Sequence, residues 1–170
     1  MSDHVLKIIP THPTYCCDDR IAEEITNLIK RSVELHYTEE PLLVHFQAHE
    51  HPEFVDCGSN LESITCPFCG KKLDFDWWGG AMNEAYSTEF YQLDITTPCC
   101  GKASSLNDLN YYFSCGFACC EFSIYNPKSP MSRETLFEIE TIIRNTRLSW
   151  MNTGRQIGCC GSSIPVKRSP

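Results

Sequence analysis

The sequence predicts an α+β fold in which a small antiparallel sheet is flanked by helices. Segments with the period of an amphipathic helix lie near both ends of the chain, and segments with the period of a strand lie between them. Turns that contain cysteine separate the strands, and this order of elements is typical of an α+β domain. We expect a single domain over residues 1–150 and a mobile C-terminal tail over residues 151–170.

Two segments carry a helical pattern. Asp18 is a good N-cap for a helix over residues 18–32, and the apolar stripe of this helix is formed by Ile21, Ile25, Leu28 and Ile29. Ser132 can cap a second helix over residues 133–145, and its stripe is formed by Leu136, Ile139, Ile142 and Ile143.

Three segments favour strands because their apolar and polar residues alternate or because they are rich in aromatic and β-branched residues. They are residues 42–50, "LLVHFQAHE", residues 88–97, "TEFYQLDITT", and residues 117–127, "FACCEFSIYNP". In the first of them, the side predicted to be buried carries Val44, Phe46 and Ala48.

The remaining segments predict loops and short turns. Residues 51–60 are loop-like, and the two glycines of "LDFDWWGGAM", residues 73–82, argue against a long helix there. Ser105, followed three residues later by Asp108, predicts one short turn of helix. From Gly154 onward the pattern is too weak to assign an element.

Composition places the chain among globular proteins. Of its 170 residues, 42% are hydrophobic and 21% are charged, and a domain of this size buries about 70% of its unfolded surface. These values exclude the disordered and fibrous classes.

The charge balance favours a basic partner. The formal net charge is -8, from 22 acidic and 14 basic residues. Residues 146–170 hold four of the bases and no acid, so the rest carries 10 bases against 22 acids, a charge of -12. Such a charge repels phosphate backbones and anionic lipid, so general nucleic-acid binding is disfavoured. The four bases of the tail are Arg147, Arg155, Lys167 and Arg168.

The chain is predicted to be cytoplasmic. Its first residues, "MSDHVLKIIPTHPTY", lack the basic and apolar regions of a signal peptide, and no 18 apolar residues run together to form a membrane span. In a cytoplasmic protein, twelve cysteines indicate metal ligands and buried thiols rather than disulfides.

The segment "SITCPFCGKK" carries half of a predicted zinc site. Cys66 and Cys69 are spaced to place two thiolates on one metal ion, and Gly70 allows the positive φ that such a turn often needs. A structural zinc site needs four ligands in a tetrahedron. "TPCCG" supplies the other two as Cys99 and Cys100.

Alternatives to this ligand set remain open. Cys99 and Cys100 are adjacent, so both reach one ion only from a sharply turned backbone, and Cys57, Cys115, His51 or an aspartate could replace one of them. Cys66 and Cys69 could instead form a redox pair, because Cys-Pro-aromatic-Cys resembles the glutaredoxin motif. That motif requires a helix directly after it, and "GKKLDFDWWGG" is poor helix sequence.

Other candidate groups favour structural roles. An exposed strand face is the expected place of His45, His49 and His51. Aromatic packing over a zinc site, rather than base stacking, is the expected role of Trp77 and Trp78. The spacing of the acids brings no pair together for general acid-base chemistry, and no glycine-rich phosphate loop occurs. Packing roles are expected for the other paired cysteines, which are Cys16, Cys17, Cys119, Cys120, Cys159 and Cys160.

Several short motifs together resemble a family. "TCPFCG", "WWGGAM", "TTPCCGK", "SLNDLNY", "GFA" and "YNP", in this order, look like the core of small, largely uncharacterised bacterial zinc-ribbon-like proteins. The resemblance covers about residues 54–144, with the zinc-ribbon-like core at about residues 54–126. It implies a bacterial cytoplasmic protein with structural zinc on Cys66, Cys69, Cys99 and Cys100, and it implies no known activity.

Three classes of function follow from these observations. The charge and the absence of a catalytic constellation favour a non-enzymatic module that binds a protein partner, such as a basic toxin or nuclease that it neutralises. The first alternative is a thiol-disulfide or metal-dependent enzyme that uses Cys66 and Cys69. The second is a zinc ribbon that binds nucleic acid or the transcription machinery.

Overall fold

The computed structural model describes residues 5–32, 44–56, 60–128, 130–145 and 155–159. Within these ranges it contains three helices and three small antiparallel sheets, which confirms the predicted α+β class. The helices are α1 (Asp19–Ser32), α2 (Phe75–Tyr86) and α3 (Arg133–Asn145). The strands are β1 (Val5–Ile9), β2 (Val44–Val55), β3 (Ser63–Thr65), β4 (Asp94–Thr96), β5 (Ala103–Ser105), β6 (Asn110–Tyr112), β7 (Gly116–Tyr125) and β8 (Arg155–Cys159).

The largest sheet has four strands in the order β2-β7-β1-β8. Its pairs are antiparallel, with Phe46 opposite Phe122 and Leu6 opposite Ile124. Helices α1 and α3 pack against this sheet, because the stripes predicted for both helices belong to one core with residues of β1 and β7. Ile25 of α1 and Ile139 of α3 are buried members of that core.

A second core includes Cys66 of the first cysteine turn, and Cys99 of the second turn packs against it. It joins α2 to the two-stranded sheets β3-β6 and β4-β5, and its most buried members include Ile64 and Leu106. Phe117 of β7 also belongs to it, with its ring 5.1 Å from that of Phe54 and 5.2 Å from that of Phe90. The central strand of the large sheet therefore anchors the region that carries the cysteine turns.

The capping predictions are confirmed. Asp18 accepts a hydrogen bond from the Ile21 amide at 2.9 Å, and Ser132 accepts one from the Thr135 amide at 3.1 Å. Ser105 starts a single 3-10 turn over Leu106–Asp108. The strand predicted at residues 117–127 is present as β7.

The prediction that two glycines prevent a long helix is wrong, because α2 runs through both of them. Asp74 caps the helix by accepting hydrogen bonds from the amides of Asp76 at 2.8 Å and Trp77 at 3.3 Å. Trp78 packs into the second core, and its indole N–H donates to the Tyr111 hydroxyl at 3.3 Å. Tertiary packing thus outweighs the poor helix propensity of glycine.

Two strand boundaries also differ from prediction. The strand predicted at residues 42–50 continues to Val55 through an irregular pairing between Ala48 and Glu53, so the predicted loop is wrong for residues 51–55. Ala48 is exposed rather than buried. Cys57 lies outside the described residues.

Only Asp94–Thr96 of the strand predicted at residues 88–97 is present. The preceding residues form a turn in which Glu89 has φ 52° and Phe90 φ 58°, and this conformation is incompatible with a strand. The turn places the Phe90 side chain in the second core.

Strands β1 and β8 were not predicted. Strand β8 lies within the segment assigned to the tail and pairs with β1, with Ile157 opposite Lys7. No helix among the described residues has the length and hydrophobicity to cross a membrane.

Candidate metal centre

The structure brings the four predicted ligands together. The sulfurs of Cys66, Cys69, Cys99 and Cys100 all lie within 4.8 Å of one another. The Sγ atoms of Cys69 and Cys99 are 3.4 Å apart, and those of Cys66 and Cys100 are 3.8 Å apart. All four thiols are free.

These distances fit a tetrahedral metal ion. Zinc–sulfur bonds of about 2.3 Å place sulfurs at the corners of a tetrahedron about 3.8 Å apart. A disulfide would require a sulfur–sulfur distance of about 2.05 Å. The cluster could therefore hold one metal ion with small shifts of its side chains. In the described part of the chain, it is the one group of three or more Cys, His, Asp or Glu whose ligand atoms lie this close.

The first cysteine turn is a hairpin that begins at the end of β3. The Cys66 amide donates to the Lys71 carbonyl at 2.9 Å, and the Gly70 amide donates to the Cys66 carbonyl at 3.0 Å. Gly70 has φ 71°, the left-handed conformation expected for it. The Phe68 amide also donates to Cys66 Sγ at 3.4 Å, as is typical of metal-binding turns.

The second cysteine turn has the same backbone. The Thr97 amide donates to the Lys102 carbonyl at 2.9 Å, the Gly101 amide donates to the Thr97 carbonyl at 2.8 Å, and Gly101 has φ 67°. The strand pairs match as well, because Thr65 bridges Lys72 in the first hairpin as Thr96 pairs with Ala103 in the second. We call these hairpins, residues 63–72 and 94–103, the first and second knuckle.

The repeat explains how two adjacent cysteines reach one ion. "SITCPFCGKK" and "DITTPCCGKA" align without a gap, and Ile, Thr, Pro, Cys, Gly and Lys are shared at equivalent positions. Cys100 is therefore the equivalent of Cys69, whereas the position of Cys66 is taken by Thr97. Cys99 supplies the missing thiol from the position that Phe68 holds in the first knuckle.

Thr97 is the residue of this centre that the sequence analysis missed. It is fully buried, and its Oγ1 lies 3.2 Å from Cys100 Sγ. The same oxygen accepts a hydrogen bond from the Lys102 amide and lies within donating distance of the Lys102 carbonyl, each at 3.2 Å. An alignment of the two knuckles places Thr97 at the position of Cys66, and this is the sequence signal that could have identified it.

Burial differs among the four ligands. Cys66 is fully buried at the edge of the second core, whereas Cys69 and Cys100 are exposed and Cys99 is intermediate. One ligand residue is thus anchored in the interior and two are exposed at the surface.

Two thiols of the cluster have shifted pKa values. Burial raises the pKa of Cys66, but hydrogen bonds from the amides of Cys69 and Phe68 and from neighbouring thiols outweigh it and lower the pKa to about 6. Burial and hydrogen bonds to the neighbouring thiols raise the pKa of Cys99 to about 12. The lowered pKa favours the thiolate form of Cys66, which is the form that binds metal.

Comparisons with protein-family models, with curated proteins and with solved structures find no match to this chain. The resemblance to bacterial zinc-ribbon-like proteins therefore stays a prediction.

The alternative ligands lie elsewhere. Cys115 is buried and donates to the Phe113 carbonyl at 3.4 Å, outside the cluster. The His51 ring lies near the Pro52 carbonyl at 3.3 Å and the Glu53 carboxylate at 3.8 Å. Neither residue joins the four sulfurs.

The position of α2 bears on the redox alternative. A helix does follow the first knuckle, but it begins at Phe75, after the hairpin has returned through Gly70 and paired Lys72 with Thr65. The helix N-terminus that lowers a thiol pKa in a glutaredoxin-like motif begins within the motif itself. The first knuckle is therefore a hairpin, not a strand-to-helix turn.

The other two described cysteine pairs, Cys16–Cys17 and Cys119–Cys120, lie close to each other, and each contributes one residue to the large core. Cys17 and Cys120 are buried members of it, and Cys120 Sγ donates to the Tyr15 carbonyl at 3.6 Å. Hydrogen bonding with Cys17 and burial raise the pKa of Cys120, and burial raises those of Cys16 to about 12 and Cys119 to about 11. Thiols held protonated in this way are poor nucleophiles.

Proposed function

We propose that this protein is a non-enzymatic module, stabilised by one structural zinc ion on Cys66, Cys69, Cys99 and Cys100, that binds a basic protein partner in the cytoplasm. The observation that carries the zinc site is the set of four sulfurs within 4.8 Å of one another. A tetrahedral set of four thiolates is typical of sites that hold zinc or iron–sulfur centres. The resemblance to zinc-ribbon-like proteins supports zinc.

The donor set supports a structural role for the ion. Catalytic zinc sites keep one position for water or substrate, whereas four protein ligands complete the tetrahedron. Among the described residues, no regular strand pairing joins the two knuckles to each other. The zinc would provide that link. It would thereby hold α2 and the two small sheets in one arrangement.

The charge supports a basic partner. Acids exceed bases by 12 outside residues 146–170, and the 29 residues from 73 to 101 contain five acids and no Lys, Arg or His. A surface of one charge sign steers oppositely charged partners and disfavours like-charged ones. The five acids are Asp74, Asp76, Glu84, Glu89 and Asp94, and all of them are exposed.

Salt-dependent retention tests the binding proposal. The immobilised zinc-loaded chain is exposed to an extract of its native cells and washed from about 0.1 M to about 1 M NaCl, over which the Debye length falls from about 10 Å to about 3 Å. We expect retained proteins to be basic and to elute within this range. Retention that is indifferent to salt, or no specific retention, would contradict the proposal.

A further inference from the structure

A groove of about 730 Å³ runs between α2 and the hairpin of β4 and β5. Its apolar surface includes Trp77, Ala81 and Ile95, which are partly buried and pack against the second core. Three carboxylates lie around this apolar surface, those of Asp76, Glu84 and Asp94. The groove is therefore amphipathic, with an apolar floor and acidic walls.

The acids of the groove are available to a ligand. Asp76, Glu84 and Asp94 are exposed, and within the described ranges none of their carboxylates takes part in a hydrogen bond or an ion pair. No basic side chain lines the groove. A cation entering it would meet three carboxylates and no basic side chain beside an apolar surface, an arrangement that attracts positive charge.

Glycine shapes the middle of the groove. Asp76, Gly80 and Glu84 follow one another at intervals of four residues, so they lie along one side of α2. A Cβ atom at Gly80 would meet nothing within 4 Å. The open space above Gly80 therefore lies between the two helical carboxylates and gives a ligand backbone close access to the helix.

We propose that this groove is the docking site for an extended basic segment of the protein partner, an inference that rests on the proposed function. Asp76 and Glu84 are eight residues apart on a helix, which corresponds to about 12 Å. In an extended chain, residues four positions apart are separated by about 13 Å and point to the same side. The segment thus carries Lys or Arg at two positions four residues apart.

The residue midway between the two basic positions completes the match. In an extended chain it points to the same side as they do, so it lies over Gly80 and against the floor of Trp77 and Ile95. An aliphatic side chain suits this position, because the floor is apolar. The preferred segment is basic–x–aliphatic–x–basic.

Binding of defined peptides tests the proposal with the zinc-loaded full chain. The probe is a fluorescent peptide with capped ends and the sequence Lys-Thr-Val-Thr-Lys. One control, Lys-Lys-Val-Thr-Thr, has the same charge with the wrong spacing, and the other, Glu-Thr-Val-Thr-Glu, has the opposite charge. We expect fluorescence anisotropy to rank the probe above the first control and to detect no binding of the second.

Two variants with equal charge locate the site. Gly80→Arg fills the groove and places a cation between Asp76 and Glu84, so we expect it to weaken binding of the probe at least about tenfold. Gly79→Arg makes the same change one residue away, at a position that does not line the groove and where a Cβ also meets nothing within 4 Å. We expect Gly79→Arg to weaken binding of the probe by less than about threefold. Arginine is a better helix former than glycine, so both variants should fold.

Each outcome decides the proposal. Loss of binding in Gly80→Arg alone supports it. Equal losses in the two variants, equal binding of the two lysine peptides, or no binding of the probe would overturn the groove as the docking site. If native proteins are nevertheless retained in a salt-sensitive manner, the proposed function survives and the site lies elsewhere on the chain.

Discussion

At the level of single residues, Thr97 is the feature that distinguishes the second knuckle from the first. Its hydroxyl occupies the place of the Cys66 thiol in the repeat and lies 3.2 Å from Cys100 Sγ. The Thr97 hydroxyl has one proton, which can go to the Lys102 carbonyl or to Cys100 Sγ. When Cys100 is a thiolate, donation to its sulfur stabilises the negative charge. Thr97 is therefore suited to orient Cys100 toward the metal and to support its charge, as groups that contact metal ligands commonly do.

Thr97→Val should weaken zinc binding. Valine keeps the shape but removes the hydroxyl, and loss of a group that supports a metal ligand typically lowers metal affinity by about 10- to 100-fold. Competition with a chromophoric chelator measures the affinity. The matched control is Thr96→Val, a neighbouring exposed residue of β4, which should bind zinc as the parent does. Equal affinities of the two variants would contradict the role of Thr97.

At the level of elements, the two knuckles behave as copies of one hairpin. They share the same turn hydrogen bonds and the same left-handed glycine. They differ in which positions carry the thiols, because the first uses Cys66 and Cys69 and the second uses Cys99 and Cys100. If the backbone sets the ligand positions, the second knuckle should accept the ligand pattern of the first.

The double variant Thr97→Cys with Cys99→Phe tests this equivalence. It gives the second knuckle the Cys-Pro-Phe-Cys sequence of the first, and we expect it to bind one zinc ion per chain with four sulfurs. Cys99→Phe alone keeps three sulfur ligands and should bind zinc more weakly. The absorption spectrum of the cobalt-substituted proteins reports the number of sulfur ligands. A double variant that binds no better than Cys99→Phe would contradict the equivalence.

Elements with a local signal were predicted from the sequence. Helices α1 and α3 combine a capping side chain with an apolar stripe, and the spacing of the cysteines, with the glycine after each pair, identified the four residues that the structure brings together. These signals depend on residues close in sequence, so they can be recognised without the fold.

Elements that depend on distant partners were missed. Strand β1 has only five residues and is held by pairing with β7 and β8, which lie more than 100 residues away in the chain. Helix α2 contains two glycines, and its stability comes from packing of residues such as Trp78 against the second core. Thr97 was missed because threonine carries no metal-ligand signal outside the context of the repeat.

At the level of the whole molecule, buried thiols of β7 make stability sensitive to alkaline pH. The pKa values of buried Cys119 and Cys120 are raised above the 9.0 of a free thiol, the first to about 11 by burial and the second by hydrogen bonding with Cys17 and by burial. Above pH 9 the unfolded chain loses these protons while the folded chain keeps them. The folded state then binds more protons, so stability falls as pH rises.

The free energy of unfolding should therefore decrease between pH 9 and about pH 10.5. Each thiol contributes a slope of at most about 1.4 kcal/mol per pH unit. Urea unfolding at a series of pH values measures the slope, and Cys120→Ala should make it shallower because one of the thiols with a raised pKa is gone. A free energy that does not change over this interval would contradict the account.

The structural zinc site is tested by the zinc content per chain of protein purified without chelator. We expect one zinc ion in the parent and in Cys115→Ser, because Cys115 is buried like Cys66 but lies outside the cluster. Cys66→Ser and the exposed-ligand variant Cys100→Ser should each contain well under one zinc ion per chain, because losing a ligand weakens binding beyond the roughly 100-fold effect of losing a supporting group. A parent without zinc, or one zinc ion per chain in both ligand variants, would contradict the structural zinc site.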